Sequence, residues 1–267
     1  MKKLVALICA FLMTATPAMG WGKTGHRVTG AIADLYLSDD ARAAVQDILG
    51  VESLAEASTW PDFMRSSDED FWRAAGAYHH LDVPDIEAGY DPANAPPQGD
   101  AYTALQQFSQ VVIDTDSPLE ERQRALRLIV HIIGDLHQPL HVGNGLDRGG
   151  NDVTVVWFDT VTTLHLAWDE DLVDHEQLSY TEMTDWLSAR ITDEQASAWM
   201  DPDPLVWIAE SAALRDGVYP DDAELRWDYV YEHRATMRTR LSQGGVRIAA
   251  YLNDLFDEQD MTTAGSG

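Results

Sequence analysis

Apolar residues recur at helical spacing along most of this chain. In the windows 28–37, 40–49 and 102–113 they return every three or four residues, the period of a helix with one buried face. The same spacing predicts further helices over 118–136, 180–191, 193–199, 204–214 and 222–256, the last broken near Gly244 and Gly245. The sequence therefore predicts a mainly α protein.

One segment departs from this period. Residues 152–158 alternate and are rich in β-branched side chains, which is typical of a strand. A turn at Asp159 and Thr160 would pair it with 161–164, giving one small β-hairpin. Residues 82–99, rich in Pro, Gly and acidic side chains, are predicted to be the longest loop, and the small polar tail 261–267 is predicted to be disordered.

The first 20 residues have the pattern of a secretory signal. Lys2 and Lys3 precede a short apolar run, and Ala18-Met19-Gly20 forms a small-x-small cleavage site. Cleavage would leave Trp21 as the first residue and would remove Cys9, the single cysteine. We therefore expect a protein without disulfides that is periplasmic or secreted, and the absence of an Asn-x-Ser/Thr sequon favours a bacterial origin.

Length and charge narrow the class further. The remaining residues, 21–260, suit one domain. A net charge of −27 repels nucleic acid and anionic membranes over long range, so we expect neither stable membrane association nor a nucleic-acid docking protein. This charge does not exclude an enzyme whose pocket contains bound cations, which can be the largest local charges in a site.

The segment 131–141 carries the strongest chemical signal. His131 and Asp135 are four residues apart, so on a helix they project from one face. Pro139 stops the helix, and His141 can fold back toward the same pocket. Imidazole and carboxylate are ligands that suit zinc. The alternative is a buried His–Asp pair that holds two helices together.

Other segments contribute ligand-type residues with weaker individual signals. A free amine on Trp21, five residues before His26, could chelate a metal together with the Trp21 carbonyl, or the terminus could simply be anchored. Asp62 could instead be a helix cap or a surface acid, and His79 a core or surface histidine. His165 and Asp169 repeat the four-residue spacing of His131 and Asp135. No structural role explains so many of these residues together.

Five motifs carry a resemblance to a known family. They are Trp21-Gly-x-x-Gly-His26, Trp60-Pro-Asp62-x-x-Arg65, Gly134-Asp135-x-x-Gln138-Pro-Leu-His141, Asp147-Arg-Gly-Gly-Asn151 and Leu164-His165-x-x-Trp168-Asp169. In this order they resemble the zinc-dependent single-strand nucleases of the S-one/P-one type and, more distantly, the zinc phospholipases C. The resemblance extends from Trp21 to the C-terminal helices.

The resemblance implies a single-domain multi-helix fold of the phospholipase C and single-strand nuclease type, with three zinc ions in a cleft. By motif, one zinc would be held by Asp62, His79, His131 and Asp135. Asp135 would bridge to a second zinc held by His26 and by the amine and carbonyl of Trp21. The third zinc would be held by His141, His165 and Asp169. His137 is expected to have a supporting structural role, and His175 and His233 to lie on the surface.

The implied activity is hydrolysis of single-stranded DNA and RNA to 5′-phosphate products, with 3′-mononucleotides as further substrates of a 3′-nucleotidase. Asp62 would orient the nucleophile and Arg65 would bind phosphate, unless Arg65 only pairs with a nearby acid. The expected base-binding residues are His80, Asp82 and Asn151. Turn capping is the alternative for Asp82, and a place at the hairpin entry is the alternative for Asn151.

The nearest rival function is a zinc phospholipase C, and the more distant rival is a non-catalytic zinc-binding protein. Arg65 beside Asp62 argues against a closed structural zinc site, which needs no arginine that binds anions. We expect a monomer.

Overall fold

The computed structural model describes residues 20–264, with side chains up to Asp257. The predicted signal segment 1–19 lies outside the described residues. The α-helices are α1 (Lys23–Tyr36), α2 (Asp39–Leu49), α3 (Leu54–Ala57), α4 (Trp60–Met64), α5 (Asp70–Ala74), α6 (Ala101–Ile113), α7 (Leu119–Leu136), α8 (Leu164–Leu166), α9 (Leu172–Asp174), α10 (Tyr180–Ser188), α11 (Asp193–Trp199), α12 (Pro204–Arg215) and α13 (Trp227–Ala264). The predicted mainly α class is confirmed.

Side-chain caps explain where several helices begin. Ser53, Asp100, Ser179 and Thr192 each accept a hydrogen bond from the backbone of the third helical residue, whose own side chain bonds back. Such reciprocal capping boxes satisfy two backbone donors that a helix start leaves open. In the described part of the chain, short turns of 3₁₀-helix lie at Ala75–His79, Pro92–Asn94, Pro139–His141 and Asp216–Val218, and a π-helical turn lies at Ala167–Asp171.

The predicted hairpin is present, with its turn one residue earlier than predicted. Strands β3 (Thr154–Trp157) and β4 (Thr160–Thr163) pair antiparallel, with Trp157 opposite Thr160. The turn is therefore Phe158-Asp159, and Phe158 adopts a φ of 54°, which is unusual for an aromatic residue. A short strand β5 (Glu224–Leu225) pairs parallel to β3.

A second strand pair lies beside the candidate site. Strand β1 (Leu81–Asp82) pairs parallel with β2 (Val142–Gly143). This pairing aligns the segment that follows His79 with the segment that follows His141. Arg215 is buried and its guanidinium donates hydrogen bonds to the carbonyls of Val83 and Gly143, which fastens the two strands together.

Two hydrophobic clusters form the core. The larger one joins α2, α6, α7, α12 and the C-terminal part of α13, and in α7 nearly every residue from Ala125 to Leu136 is buried. The smaller one surrounds Trp21 and joins α1, the hairpin, α10 and the first half of α13. The histidines and carboxylates of the candidate site lie on elements that meet between these clusters.

The predicted break in the last helix is wrong. Helix α13 runs without interruption through Gly244 and Gly245. A Cβ on Gly245 would lie 2.4 Å from the Ile32 side chain, and one on Gly244 would lie 3.2 Å from Thr29. The glycines therefore serve the close approach of α13 to α1, and packing against α1 outweighs their poor helix propensity.

One further expectation needs correction at this level. His233 is buried, not on the surface, and packs against Trp168 and Tyr229. Half-buried His175 stacks on Phe158. Helix α13 extends to Ala264, residues 265–267 lie outside the described part, and the disordered tail 261–267 stays a prediction. Among the described residues, no helix is both long and apolar enough to cross a membrane.

Candidate metal centre

The C-terminal half of α7 places two ligand-type residues on one buried face. His131 Nε2 lies 3.2 Å from Asp135 Oδ2, and both side chains are fully buried. The helix ends at Leu136, and the 3₁₀ turn Pro139–His141 folds His141 back so that its Nδ1–H donates to the carbonyl of His79. The geometry predicted from the four-residue spacing is confirmed.

Five residues from four elements converge around Asp135, and we call them the Asp135 cluster. Asp135 Oδ1 lies 3.2 Å from His26 Nε2, and Asp135 Oδ2 lies 3.0 Å from His79 Nδ1. His131 Nε2 lies 4.0 Å from Asp62 Oδ1. The members are His26 on α1, Asp62 on α4, His79 in the 3₁₀ turn Ala75–His79, and His131 and Asp135 on α7.

A second group, the Asp169 cluster, consists of His141, His165 and Asp169. His165 Nε2 lies 3.1 Å from Asp169 Oδ2, and His141 Nε2 lies 3.7 Å from Asp169 Oδ1. His165 is on α8, and Asp169 follows on the π-helical turn Ala167–Asp171. All three side chains are buried. The structure thus brings together the eight predicted side-chain ligands in two adjoining clusters.

Hydrogen bonds to backbone carbonyls fix the tautomers of three histidines. His131 Nδ1–H donates to Ser58 O at 2.7 Å, and His165 Nδ1–H donates to Gly149 O at 2.6 Å. With the equivalent bond from His141, this makes Nε2, which is directed into a cluster, the nitrogen without a proton whenever the ring is neutral. Such outer bonds orient metal-ligating imidazoles.

Buried polar atoms without hydrogen-bond partners show that the clusters suit a cation. Asp62 Oδ2, Asp135 Oδ1, Asp169 Oδ2 and His26 Nε2 make no hydrogen bond. Moreover, His131 Nε2 and His79 Nδ1 face each other at 2.8 Å, an arrangement that two neutral acceptors would avoid. Nitrogen and carboxylate donors at these positions match the preferences of zinc, so the residues fit the implied metal.

The electrostatics of the clusters point the same way. Burial disfavours a charge on His131, but the Asp135 and Asp62 carboxylates outweigh it and raise the pKa of His131 to about 9. Burial would also raise the pKa of Asp135, yet the positive charge on His131 and His141 holds it well below its usual range. The clusters therefore attract positive charge, which protons or bound cations can supply.

The backbone at Gly20 and Trp21 reaches the Asp135 cluster. A Cβ added to Gly20 would lie 1.4 Å from Asp135 Oδ1 and 2.8 Å from His26 Nε2. The Trp21 ring is fully buried in the smaller core cluster, and Gly22 N donates to Asp169 O at 2.7 Å. The start of the predicted mature chain is therefore anchored, and it is anchored at the carboxylate where a second cation would bind.

Arg65 lies next to Asp62, as the motif implies. Its Nη1 is 3.4 Å from Asp62 Oδ1, and its side chain is 14% exposed. The predicted alternative, an ion pair with a nearby acid, is thus present. The contact also holds the guanidinium at the edge of the Asp135 cluster, where it can meet an anion.

A cavity of ≈ 450 Å³ adjoins the clusters and contains two of the three predicted base-binding residues, His80 and Asp82, together with Tyr90. Burial raises the pKa of Asp82, and a hydrogen bond from the Gly145 amide partly opposes this. Asn151 does not line this cavity. Its side chain donates to Arg148 O at 2.9 Å, the hairpin-entry position given as its alternative.

The structure adds supporting residues to which the motifs assigned no role. Buried Gln138 donates to Asp169 Oδ1 at 2.7 Å and accepts from Leu140 N, which fixes the carboxylate. In Asp147-Arg-Gly-Gly-Asn151, Gly149 has a φ of 61°, and a Cβ there would lie 2.2 Å from Leu140 O. That turn presents the carbonyl that holds His165. Gln138 and Gly149 each belong to one of the five family motifs, and membership in those motifs is the feature of the sequence that could have identified them.

His137 points away from both clusters. Its Nδ1–H donates to Ile133 O at 2.7 Å, and its Nε2 lies 3.3 Å from Arg247 Nη1. Burial and the neighbouring arginines lower its pKa well below the usual value, so it stays neutral. Its role is the supporting one expected of it.

The fold and the site together define a helical protein with a buried candidate multi-metal centre beside an arginine and an open cavity. A sequence profile of the S1/P1 nuclease family matches residues 21–257. The chain therefore belongs to the S1/P1 nuclease family, which places it among enzymes that hydrolyse phosphodiester bonds of nucleic acids.

Individual relatives agree with this family. The chain is 28% identical to nuclease S1 of Aspergillus oryzae, over 95% of this chain and 98% of that protein. It is 29% identical to endonuclease 4 of Arabidopsis thaliana, over 91% of each chain. It is 27% identical to nuclease P1 of Penicillium citrinum, over 88% of this chain and 97% of that protein.

Among solved structures, a Clostridium perfringens alpha-toxin matches 91% of this chain and 66% of its own chain, at 16% identity and a TM-score of 0.49. A second such toxin, from Clostridium absonum, has a TM-score of 0.47 at 15% identity, and this chain spans 65% of its length.

Proposed function

We propose that this protein is an exported zinc-dependent endonuclease that cleaves single-stranded DNA and RNA to 5′-phosphate products and acts on 3′-mononucleotides. The observation that carries the proposal is the convergence of eight buried histidine and aspartate side chains in two adjoining clusters, in which atoms of His26, Asp62, Asp135 and Asp169 make no hydrogen bond. A purely structural His–Asp core would satisfy those atoms with hydrogen bonds.

The ligand assignment follows the two clusters. Asp62, His79, His131 and Asp135 would hold one zinc, and Asp135 with His26 and the Trp21 amine and carbonyl would hold a second. His141, His165 and Asp169 would hold the third. Bound zinc supplies activation of water near neutral pH and stabilisation of charge on phosphate oxygens.

The chain's own residues would position the substrate. Arg65 presents a planar, permanently charged fork that matches two phosphate oxygens. Asp62, which contacts Arg65, would orient the attacking water. The cavity at His80 and Asp82 can accept one splayed base, with the imidazole stacking and the carboxyl accepting hydrogen bonds. A duplex base would first have to leave its stack, which supports a preference for single strands.

Export completes the proposed site. Cleavage of the signal after Gly20 would release the amine of Trp21 beside Asp135 and His26. It would also remove Gly20 from the place where the ligands converge. In this proposal, cleavage of the signal is therefore the step that allows the metal centre to assemble.

The first test is a substrate panel on correctly processed protein. We expect cleavage of single-stranded DNA, RNA and a 3′-mononucleotide, slow cleavage of duplex DNA, and no hydrolysis of phosphatidylcholine. Chelator should abolish activity and zinc should restore it. Full activity in protein shown by elemental analysis to be free of zinc would overturn the metal assignment, and hydrolysis of phosphatidylcholine alone would favour a phospholipase.

The second test separates catalysis from metal binding. Arg65→Ala should lower kcat/KM by roughly a hundredfold or more while zinc content stays unchanged, because a phosphate-binding group is lost and no ligand is. Arg73→Ala is the matched control, since Arg73 also pairs with an aspartate three residues earlier, Asp70, but is 73% exposed. An equal loss of kcat/KM in Arg65→Ala and Arg73→Ala would show that Arg65 has no specific role in phosphate binding.

A further inference from the structure

A second concave surface lies apart from both clusters, between the first half of α13 and helices α10 and α11. It has a volume of ≈ 770 Å³. We call it the arginine groove and define it by six of its lining residues: Arg190, Trp199, Trp227, Tyr231, Arg234 and Arg238. None of the candidate metal ligands lines it.

One face of α13 supplies four of these residues. Trp227, Tyr231, Arg234 and Arg238 are spaced by four, three and four positions, so they form a continuous stripe along the helix. Arg190 and Trp199 face this stripe from the other wall. The stripe is therefore two aromatic rings followed by two guanidinium groups.

The charge of the groove is opposite to that of the whole chain. Three arginines and a single glutamate line it, on a protein whose net charge is −27. Another cavity beside the start of α13 shows the contrast, since it is lined by Asp221, Asp222, Glu224, Asp228 and Glu232 without any arginine or lysine. A polyanion would find attraction in the arginine groove and repulsion beside it.

The arginines in the groove are held in place. The carboxylate of Glu176 accepts from Arg234 Nε at 2.6 Å and from Arg238 Nη2 at 2.5 Å, and its own side chain is only 6% exposed. Arg190 Nη1 donates to the carbonyl of Trp186, at the end of α10. One buried acid thus orients two guanidinium groups, and positive charge remains in excess.

The aromatic residues of the stripe contribute little to the core. Trp227 is 69% exposed and Tyr231 is 88% exposed. Large exposed rings beside ordered arginines are the elements with which proteins bind single strands, because bases stack on rings while phosphates meet cations. Trp227 packs edge-on against Phe158 and His175, and most of its surface stays open to solvent.

We propose that the arginine groove is a second binding site for single-stranded nucleic acid, which holds the strand outside the catalytic cleft. Phosphates would lie on Arg190, Arg234 and Arg238, and bases would stack on Trp227 and Tyr231. The segment from Asp169 to His175 connects the Asp169 cluster to the rim of the groove. The inference rests on the proposed function in taking the ligand to be the substrate strand.

The test compares substrates of two lengths on the zinc-loaded protein. For Arg190→Ala, and separately for the double variant Trp227→Ala with Tyr231→Ala, we expect KM for a single-stranded DNA 20-mer to rise roughly tenfold. The kcat for the 20-mer, and kcat/KM for a dinucleotide too short to reach the groove, should not change. The salt dependence of the 20-mer KM should weaken in Arg190→Ala.

Matched controls remove the same chemistry elsewhere. Arg42→Ala also deletes a guanidinium that donates to carbonyls at a helix end, those of Asp34 and Leu37. Trp186→Ala deletes a ring on α10 that is 49% exposed but does not line the groove. Both controls should leave the 20-mer KM unchanged.

A direct binding measurement keeps the inference separate from the proposed function. A fluorescein-labelled phosphorothioate 20-mer, which resists hydrolysis during the titration, should bind wild type about tenfold more tightly than either groove variant. Groove-dependent binding by a protein without nuclease activity would overturn the proposed function and support the groove. Unchanged binding and KM in both variants would overturn the groove, as would groove-dependent binding of phosphatidylglycerol vesicles without any effect on the 20-mer.

Discussion

The Asp135 and Asp169 clusters begin from the same sequence pattern and end as different sites. Each contains a histidine and an aspartate four residues apart, with contacts of 3.2 Å and 3.1 Å. Both oxygens of Asp135 face imidazoles, His26 on one side and His79 with His131 on the other. Each oxygen of Asp169 also lies near one imidazole, but Oδ1, which is 3.7 Å from His141 Nε2, accepts a hydrogen bond from Gln138 as well.

This difference decides what each carboxylate can do. Asp135 has three imidazoles within 3.2 Å and can bridge two cations, whereas Asp169 shares Oδ1 with an amide donor and suits a single cation. Helical spacing brings a histidine and an aspartate together in both clusters. What differs is the set of neighbouring elements, because α1 and α4 contribute ligand-type residues only to the first cluster.

The largest effect should come from the bridging carboxylate. Asp135→Asn should remove about two of three zinc equivalents and lower kcat/KM about a thousandfold or more, because one side chain serves two ions. Asp169→Asn should remove about one equivalent. Zinc content by elemental analysis, measured with the rate on single-stranded DNA, checks both.

The fold of each variant is controlled by circular dichroism in the presence of zinc. Loss of one equivalent in both variants would show that Asp135 does not bridge. Loss of all zinc in both would show that the two clusters bind cooperatively, and the contrast drawn between them would then fail.

A smaller but selective effect should follow from an unprocessed N-terminus. Protein that retains a residue before Trp21 should lose about one zinc equivalent and most of its activity, because the amine is replaced by an amide and Gly20 lies against Asp135. The Asp169 cluster should keep its ion. Mass spectrometry of the terminus paired with zinc content makes the measurement.

The control is the same protein after removal of the extra residue by an aminopeptidase, which should regain zinc and rate. Full zinc content and normal activity with the extra residue in place would refute a role for the Trp21 amine.

The contrast between the clusters also shows what the sequence could predict. Helical spacing alone placed His131 with Asp135 and His165 with Asp169, because residues four apart share a face. Spacing could not join His26, Asp62 or His79 to them, since those contacts depend on how α1, α4 and a 3₁₀ turn pack on α7. Only the family resemblance assigned these residues.

Each difference between the predicted and the observed secondary structure has a specific physical cause. The glycine pair 244–245 predicted a break because propensity ignores the close contact with Ile32. The hairpin turn shifted because Phe158 adopts a positive φ, which sequence reasoning reserves for glycine or asparagine. Helices α3, α4 and α5 have four or five residues each and are too short to show a period.

An intermediate effect should come from the restraint on Asp169. Gln138→Met keeps the volume but removes the donor to Asp169 Oδ1, so zinc affinity of the Asp169 cluster should fall roughly 10- to 100-fold. The Asp135 cluster should keep its affinity. Competition with a chelator of known affinity would distinguish one zinc ion that binds more weakly from two whose affinity is unchanged.

Asn253 offers a control, because its side chain also bonds backbone atoms of a distant segment, those of Ser38 and Tyr36, far from both clusters. Asn253→Leu should lower thermal stability without any change in zinc affinity. Equal weakening of all ions in Gln138→Met would mean that the amide acts on the whole fold and not on one carboxylate.

The smallest effect concerns the back of the Asp169 cluster, where His233 packs against Trp168. Burial lowers the pKa of His233 below the 6.5 of an exposed imidazole. The unfolded chain therefore takes up a proton at a higher pH than the folded protein does, and this contribution to stability is present above about pH 6.5 and lost as pH falls through the lowered pKa. We expect His233→Phe to reduce the fall in Tm between about pH 7 and pH 5 by roughly 2 °C relative to wild type.

The comparison of Tm values is made at saturating zinc, and the control is His175→Phe, which replaces a half-buried ring. An identical pH dependence of Tm in wild type and His233→Phe would show that His233 gains its proton equally in the folded and unfolded states.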